Sequence, residues 1–318
     1  ALVFPGQGSQ AVGMGRALHD DVAEARAVFE EVDEALGEAL SRTTFDGPDE
    51  ALRLTANAQP ALMSCSIAAL RALEARSGRT IDGLAAAVAG HSLGEYSALV
   101  AAGALGLADA ARLLRLRGEA MQAAVPVGEG AMAAILGLDL EVVLEIAEVA
   151  NRAGACDVAN DNAPGQVVVS GACAAVERAV ALAKERGARR SMLLPVSAPF
   201  HCRLMAPAAG RLEAALAEVE LKRPAIPVVT NVTARPEVEP ATLRQLLVRQ
   251  VTARVRWRES VLAMAGLGVR RTVELGAGRV LTGLTRRISK DMDAVALGTP
   301  EEIDGFVHGR TPGAGAEA

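Results

Sequence analysis

AAAVAGHSLGEYSALVAAGAL, residues 85–105, is the most informative segment of this chain. A short apolar run from Leu84 to Ala89 leads into Gly90-His91-Ser92-Leu93-Gly94, and a helix-forming run from Glu95 to Ala102 leads out. This order predicts a nucleophile elbow, in which a strand turns sharply into a helix with a serine at the apex. Glycines on both sides of Ser92 permit a strained backbone and let substrate approach the hydroxyl. The alternative interpretation is a glycine-rich turn without chemistry.

Outside this stretch, short apolar runs alternate with helical segments, which is typical of an α/β fold. The 318 residues are 51% hydrophobic but only 2% aromatic, so Ala, Leu and Val must build the core. That length accommodates one large domain with an insertion, or two domains. Strands are predicted at Leu2–Phe4, Ala85–Ala89, Met132–Leu136, Gln166–Ser170, Ser191–Pro195, Ile226–Thr230 and Arg271–Leu275. Helices are predicted at Asp20–Leu40, Gln59–Arg76, Glu95–Ala102, Asp109–Ala124, Leu140–Ala153, Ala174–Arg186, Ala206–Glu218, Ala241–Gln250 and Arg258–Ala265.

The segment 126–195 has the pattern of a compact insertion. It reads as a βαββ-like order, and prolines at both borders suit crossover points between two units. Residues 1–125 and 196–307 then form one discontinuous catalytic unit, and the Gly- and Ala-rich residues 308–318 are expected to be a flexible tail.

Composition also limits the cellular setting and the partners. No apolar run reaches the roughly 18 residues that a membrane span needs, and the four cysteines lack metal-ligand spacing. We therefore expect a cytoplasmic protein with reduced thiols, no metal and no membrane contact. The net charge is −5, yet residues 244–290 carry eleven basic side chains against two acidic ones. Such a basic face suits an anionic partner, although an ordinary solvated surface explains it equally well. A single aromatic residue in this region argues against nucleic acid.

Serine needs a base within hydrogen-bond reach to act as a nucleophile. Of the four histidines, His19 and His308 are expected at the surface, and His91 is expected to pack beneath the elbow. His201 remains, at the mouth of a strand-to-helix transition, and elimination makes it the candidate base. A buried structural histidine is the competing interpretation, and no third acid stands out.

Arg117 lies in the middle of an apolar helix face. At 100° per residue it shares one stripe of Asp109–Ala124 with Leu113 and Met121. A guanidinium on such a face must be paired, because burying it alone is costly. Its partner is either a structural carboxylate of the protein or a substrate carboxylate held by two hydrogen bonds; the pattern favours neither.

The N-terminal sequence FPGQGSQ, residues 4–10, follows the first predicted strand. It matches the loose dinucleotide pattern only weakly, because Pro5 stiffens the turn and an acidic helix follows. A loop whose backbone N–H groups face Ser92 is the better interpretation, and together with Leu93 it would stabilise an oxyanion.

Five motifs occur here in one order: FPGQGSQ at 4–10, GHSLGEY at 90–96, Arg117, APFH at 198–201 and GAGRVLTGL at 276–284. Together they resemble the malonyl-CoA:acyl carrier protein transacylases, relatives of the acyltransferase domains of polyketide synthases, from Leu2 to about Val307. The resemblance implies an α/β-hydrolase-like large subdomain with an inserted ferredoxin-like small subdomain at 126–195.

The resemblance also implies roles for individual residues. Ser92 would be the nucleophile and His201 its acid/base partner, with a backbone carbonyl near Gln250 orienting the imidazole. Arg117 would bind the malonyl carboxylate, and the backbone N–H groups of Gln7 and Leu93 would form the oxyanion hole. The remaining substrate-lining positions are Phe200, His91, Asn160 and Asn162. In related polyketide acyltransferases, a Phe at the position of Phe200 accompanies a preference for malonyl over methylmalonyl substrates. Relatives often have Asn-Pro-Val after the position of Gln250, where this chain reads VTARVRW.

The implied activity is transfer of malonyl from malonyl-CoA to the phosphopantetheine thiol of holo acyl carrier protein, by a monomer without a tightly bound cofactor. The predicted basic patch would meet CoA phosphates or the acidic carrier; its members are Arg254, Arg256, Arg258, Arg286 and Arg287. Three alternatives stay open: a trans-acting polyketide synthase acyltransferase, a serine thioesterase or other hydrolase, and a non-catalytic scaffold that binds the carrier protein. The C-terminal sequence favours a discrete enzyme over an excised domain.

Overall fold

The computed structural model describes residues 1–309 of the chain. Within them lie ten strands: β1 (Leu2–Phe4), β2 (Val88–Gly90), β3 (Gly130–Leu136), β4 (Cys156–Ala163), β5 (Gln166–Ala172), β6 (Arg190–Leu193), β7 (Val228–Val229), β8 (Pro236–Glu237), β9 (Arg271–Leu275) and β10 (Asp293–Leu297). The same residues form fifteen α-helices: α1 (Arg16–Asp21), α2 (Ala23–Leu36), α3 (Leu40–Asp46), α4 (Asp49–Arg53), α5 (Thr55–Ser77), α6 (Ile81–Leu84), α7 (Gly94–Ala101), α8 (Leu107–Ala123), α9 (Leu140–Ala150), α10 (Cys173–Glu185), α11 (Ala206–Ala217), α12 (Pro240–Gln250), α13 (Trp257–Gly266), α14 (Val280–Ile288) and α15 (Pro300–Val307).

The larger sheet has the strand order β10-β9-β1-β2-β7-β8. Its first five strands are parallel, and β8 is antiparallel at one edge. Helices cover both faces, as parallel sheets require. The loops that follow β1, β2 and β7 therefore emerge at the same edge of the sheet, where α/β folds bind ligands.

The smaller sheet is antiparallel, in the order β4-β5-β3-β6. Its chain order is βαββαβ, with α9 and α10 packed on one face over an apolar cluster of their own. This is the ferredoxin-like arrangement, so the mixed α/β fold with two subdomains is confirmed. All six elements lie between Gly130 and Leu193; the predicted boundaries at 126 and 195 stay a prediction, and residues 310–318 of the predicted tail lie outside the described residues.

The predicted βαββ-like order of the insertion was incomplete because it omitted β4. This strand reads CDVANDNA, and its polar side chains hide the alternation that marks a strand. Asp161 of this strand is buried and accepts hydrogen bonds from Arg258. The arginine balances its charge, so a polar residue occupies a position where the sequence pattern would require an apolar one.

Other differences concern the ends of elements. The helix predicted at Asp20–Leu40 is divided at Val22 into α1 and α2. Helix α2 ends before Gly37, whose backbone is in the left-handed conformation. The strand predicted at Ile226–Thr230 is shortened to β7, and the strand predicted at Ala85–Ala89 is shifted to end at Gly90. Beyond residue 280, α14, β10 and α15 were not predicted.

Small aliphatic side chains fill the core. The central helix α5 is buried on nearly all its faces, and α2 and α8 pack against it. No helix of residues 1–309 has the length and apolarity that a transmembrane span needs. The same residues contain no cluster of His, Cys, Asp and Glu side chains suited to a metal ion.

Candidate active site

Ser92 lies at the apex of a tight turn between β2 and α7. Its φ is 53°, in the left-handed region that costs a non-glycine residue strain. The glycines on either side are sterically required: a Cβ on Gly90 would lie 1.8 Å from the Gly94 carbonyl oxygen, and one on Gly94 would lie 2.3 Å from the Phe4 carbonyl oxygen. The chain can therefore turn here only with hydrogen in place of a side chain, and the turn presents the serine hydroxyl to the pocket.

Asn231, in the loop after β7, fixes this turn. Its Oδ1 accepts a hydrogen bond from the Ser92 N–H at 2.7 Å, and its Nδ2 donates to the Gly90 carbonyl at 2.6 Å. One buried amide thus holds both ends of the elbow, which offsets the strain at Ser92. Because β7 pairs with β2 in the sheet, the loops that follow these two strands lie next to each other.

His201 is the hydrogen-bond partner of the serine. The Ser92 Oγ lies 2.7 Å from Nε2, and Nδ1 lies 2.9 Å from the Gln250 carbonyl oxygen. Since a carbonyl only accepts, Nδ1 carries the proton and the lone pair of Nε2 faces the serine hydroxyl. Burial, and to a smaller extent the positive charge of Arg117, lower the pKa of His201 to about 3, so the imidazole is neutral at physiological pH. This is the form that accepts a proton.

The Gln250 carbonyl is available because of its position in a helix. Gln250 is the last residue of α12, and the final carbonyls of an α-helix have no partner within the helix. An acidic third member is therefore unnecessary for orienting the imidazole.

Arg117 is buried on α8, 2% exposed, with its guanidinium at the nucleophile. Nη1 donates to Gln59 Oε1 at 2.6 Å, and Nη2 donates to Gln250 Oε1 at 2.9 Å and to Ser92 Oγ at 3.1 Å. Nε has no hydrogen-bond partner among residues 1–309, and no carboxylate of that range forms an ion pair with the guanidinium. Of the two partners left open by the sequence, a structural carboxylate in direct contact with the guanidinium is thus absent from the described chain.

A cavity of about 450 Å³ opens over these groups. Gln7, in the loop after β1, and Leu93, next to the nucleophile, both line it. Their backbone N–H groups donate to no protein acceptor within the described residues, whereas the N–H of Ser92 is taken by Asn231. Two unused donors beside the serine suit an oxyanion.

The remaining predicted residues surround the same cavity. Phe200 is 8% exposed and lines it next to His201. His91 donates from Nε2 to Asn162 Oδ1 at 2.9 Å, and its ring packs against Trp257. Burial is the main cause that lowers the pKa of His91, opposed by that hydrogen bond. Asn160 also lines the cavity, and Gln250 contacts His201 and Arg117 behind it, so the structure brings together every site residue that the sequence singled out.

The arginines of the predicted basic patch have partners inside the protein. Arg254 and Arg256 pair with Glu259, and Arg258 pairs with the buried Asp161. Arg286 donates to the Ala294 carbonyl, and Arg287 donates to Gln166, which lines the cavity. The patch thus reaches the rim of the cavity, with part of its charge already balanced.

Three residues of the site were missed by the sequence analysis: Gln59, Glu95 and Asn231. Asn231 follows a predicted strand, and a polar residue at the carboxyl end of a strand is a usable signal. Glu95 lies in the first turn of α7 and Gln59 is the fifth residue of α5; polar side chains near the start of a helix are ordinarily solvated, so their burial could not be read from the sequence.

Comparison with known proteins gives a consistent result. Residues 1–302 match the family model described as acyl transferase domain. The malonyl CoA-acyl carrier protein transacylase of Bacillus subtilis is 46% identical over 305 residues, which covers 96% of this chain and 95% of the relative. The Escherichia coli protein of the same name is 46% identical over 303 residues, covering 95% and 97%.

Solved structures agree with these relatives. The acyl-carrier-protein-S-malonyltransferase of Bartonella henselae superposes with a TM-score of 0.95 at 53% identity, covering 98% of each chain. A malonyl-transacylase solved in complex with a type II polyketide synthase acyl-carrier protein has a TM-score of 0.93 at 41% identity, covering 97% of this chain and 98% of that one.

Proposed function

This chain belongs to the acyl transferase family, and we propose that it transfers malonyl from malonyl-CoA to the phosphopantetheine thiol of holo acyl carrier protein. This is the S-malonyltransferase activity for which its relatives are named. Malonyl-CoA and the carrier protein enter as substrates, so the reaction needs no tightly bound cofactor. The monomeric state and the cytoplasmic location stay predictions.

The environment of Arg117 is the observation that carries the substrate assignment. The carboxylate of a malonyl ester on Ser92 lies one methylene beyond the ester carbonyl. Arg117 Nη2, 3.1 Å from Ser92 Oγ, is therefore within reach of that carboxylate. The guanidinium already forms hydrogen bonds to two neutral amide oxygens, and it has no carboxylate partner in the described chain. A substrate carboxylate in direct contact with the guanidinium therefore gains charge-assisted hydrogen bonds that no protein carboxylate occupies.

The first half-reaction begins with His201 Nε2 accepting the Ser92 hydroxyl proton. The oxygen attacks the thioester carbonyl, and the N–H groups of Gln7 and Leu93 stabilise the resulting oxyanion, an interaction whose loss costs roughly 3 kcal/mol. The carbon–sulfur bond then breaks. His201 returns the proton to the departing CoA sulfur, and a malonyl-serine ester remains.

The second half-reaction reverses these roles. His201 accepts the proton of the phosphopantetheine thiol, and the sulfur attacks the ester carbonyl. The carbon–oxygen bond breaks, and Ser92 regains the proton from His201. Because CoA leaves before the carrier protein reacts, the kinetics are ping-pong.

The bound carboxylate also affects the base. Burial is the main cause of the low pKa of His201, and the positive charge of Arg117 lowers it further. A malonyl carboxylate on Arg117 offsets this charge and raises the pKa of the imidazole toward the operating pH, where a general base is most effective. The correct acyl group therefore strengthens the base that activates its own transfer.

The carrier protein and CoA approach from the rim of the cavity. Arg287 lies at this rim, where it donates a hydrogen bond to Gln166. The other arginines of the basic patch lie in or next to α13 and α14. We expect these arginines to attract CoA phosphates and the acidic carrier over a distance, and we expect this attraction to weaken as salt rises.

Intact-protein mass spectrometry tests the function directly. Brief incubation with malonyl-CoA should add one malonyl group, and holo acyl carrier protein should remove it; Ser92→Ala is the control and should show no adduct. Malonate and free CoA accumulating without carrier protein would instead indicate a hydrolase. No adduct and no turnover would favour the scaffold alternative.

A polyketide carrier is a second candidate acceptor. The relative solved with a type II polyketide synthase carrier protein is the observation that favours it. Comparing kcat/KM for holo carriers of fatty acid and polyketide synthases, at one malonyl-CoA concentration, ranks the two acceptors.

A further inference from the structure

Glu95 is a buried acid that the mechanism above does not use. It lies one turn after the nucleophile and is 1% exposed. Its Oε2 accepts hydrogen bonds from Gln250 Nε2 at 2.7 Å and from the Asn231 N–H at 3.2 Å. Its Oε1 has no partner among residues 1–309. A carboxylate with so few donors is expensive to bury unless an opposite charge is near.

Gln250 connects this carboxylate to the guanidinium. Its Nε2 donates to Glu95 Oε2 and to the Ser92 carbonyl, the latter at 3.0 Å, while its Oε1 accepts from Arg117. Glu95 and the Ser92 carbonyl can only accept, and a guanidinium can only donate. A single orientation of the Gln250 amide satisfies all three neighbours. The acid and the base therefore lie at opposite ends of one side-chain amide, without direct contact.

This separation has a consequence for ligand binding. A carboxylate in direct contact with Arg117 would occupy the donors that a substrate carboxylate needs. A carboxylate one amide away still reduces the cost of burying the guanidinium, because charges interact over several ångströms in a medium of low dielectric constant. It also leaves Nε without a partner in residues 1–309, and it leaves the Ser92-facing Nη2 free of any protein carboxylate.

We propose that Glu95 is a positioning residue: acting through Gln250, it is a counter-charge that holds Arg117 in place without competing for the substrate carboxylate. This rests on the proposed function, in which Arg117 binds the malonyl group. Two contributions are separable: the hydrogen bond that orients Gln250, and the negative charge.

Glu95→Gln separates them, because its side-chain oxygen still accepts from Gln250 while the charge is lost. At pH 8 we expect KM for malonyl-CoA to fall by roughly threefold to tenfold, since Arg117 then attracts the carboxylate more strongly. KM for acetyl-CoA, which has no carboxylate to bind, should stay unchanged. Glu119→Gln, which removes an exposed charge on α8, is the matched control and should leave both values unchanged. Equal changes in the two KM values, or no change in either, would overturn the proposal.

A double-mutant cycle tests the charge coupling independently of catalysis. At pH 8, Arg117→Gln leaves Glu95 as a buried charge without its counter-charge, so it should lower Tm more in the wild-type background than in the Glu95→Gln background. If Arg117→Gln alone does not fold, recovery of folding in the double variant gives the same support. Equal effects in both backgrounds, or no recovery, would refute the coupling. The wild-type acyl-enzyme experiment is unaffected by either result, so failure of this proposal is distinguishable from failure of the proposed function.

Discussion

If Arg117 binds the malonyl carboxylate as proposed, Arg117→Ala should remove the preference for malonyl over acetyl. The substitution removes a guanidinium that is 2% exposed and directed at the nucleophile; Ser92 Oγ loses the hydrogen bond from Nη2 but keeps the one to His201 Nε2. We therefore expect the dyad to persist and the carboxylate site to be lost.

The size of the effect follows from the desolvated contact. Truncating one partner of a buried, hydrogen-bonded charge pair costs roughly 2–5 kcal/mol. Taking about 3–4 kcal/mol, at about 1.4 kcal/mol per factor of ten, kcat/KM for malonyl-CoA should fall by roughly 10²–10³. Acetyl-CoA has no carboxylate to lose, and removing the positive charge of Arg117 raises the pKa of His201. Its kcat/KM should therefore stay level or rise.

The assay is CoA release with each thioester in the presence of holo carrier protein, with acyl-serine formation followed by mass spectrometry. Arg112→Ala is the control, because it removes an exposed arginine from the same helix. A thermal melt checks that the variant is folded, since Gln59 and Gln250 lose a donor. If kcat/KM for malonyl-CoA and acetyl-CoA fell by the same factor, Arg117 would be structural, and the assignment of the carboxylate site would be refuted.

Phe200→Ser should raise kcat/KM for methylmalonyl-CoA relative to malonyl-CoA by roughly 10- to 200-fold, because the ring fills space that an α-methyl group needs; an unchanged ratio in a competition assay would refute the steric account. Gly94→Ala should prevent stable folding or abolish acyl-serine formation, because its Cβ would lie 2.3 Å from the Phe4 carbonyl oxygen, whereas Gly83→Ala, with its nearest neighbour at 3.8 Å, should melt like wild type. Burial raises the pKa of Glu95 from 4.5 to about 7, so the folded state binds the extra proton and wild type loses stability as pH rises through that window. At 1.36 kcal/mol per pH unit, this loss of unfolding free energy is about 3 kcal/mol. Urea unfolding at pH 5 and pH 8 should show the loss in wild type but not in Glu95→Gln; the same pH dependence in both proteins would contradict this prediction.

Much of the site could be predicted from the sequence because its signals are local. The elbow is recognisable from the glycines next to the nucleophile and from its strand and helix flanks; Gly90 is required by contacts with Gly94 and Glu95, which are close along the chain, whereas Gly94 is required by contact with the distant Phe4. Arg117 was identified by helical periodicity, which also depends only on neighbouring residues. Strand β4 shows the limit of this approach: its polar side chains are buried by partners in distant parts of the chain, such as Arg258 for Asp161.

The elbow, the buried arginine and the α/β alternation could be predicted from local sequence, because the glycine pattern and the periods of helix and strand are visible among neighbouring residues. The assembly of the site depends on tertiary packing. Ser92 and His201 are 109 residues apart, and Ser92 and Gln250 are 158 residues apart. Their contacts require the whole parallel sheet and its helices to pack. The placement of Glu95 at one end of the Gln250 amide and Arg117 at the other also depends on that packing, because burial and hydrogen-bond geometry are properties of the folded chain.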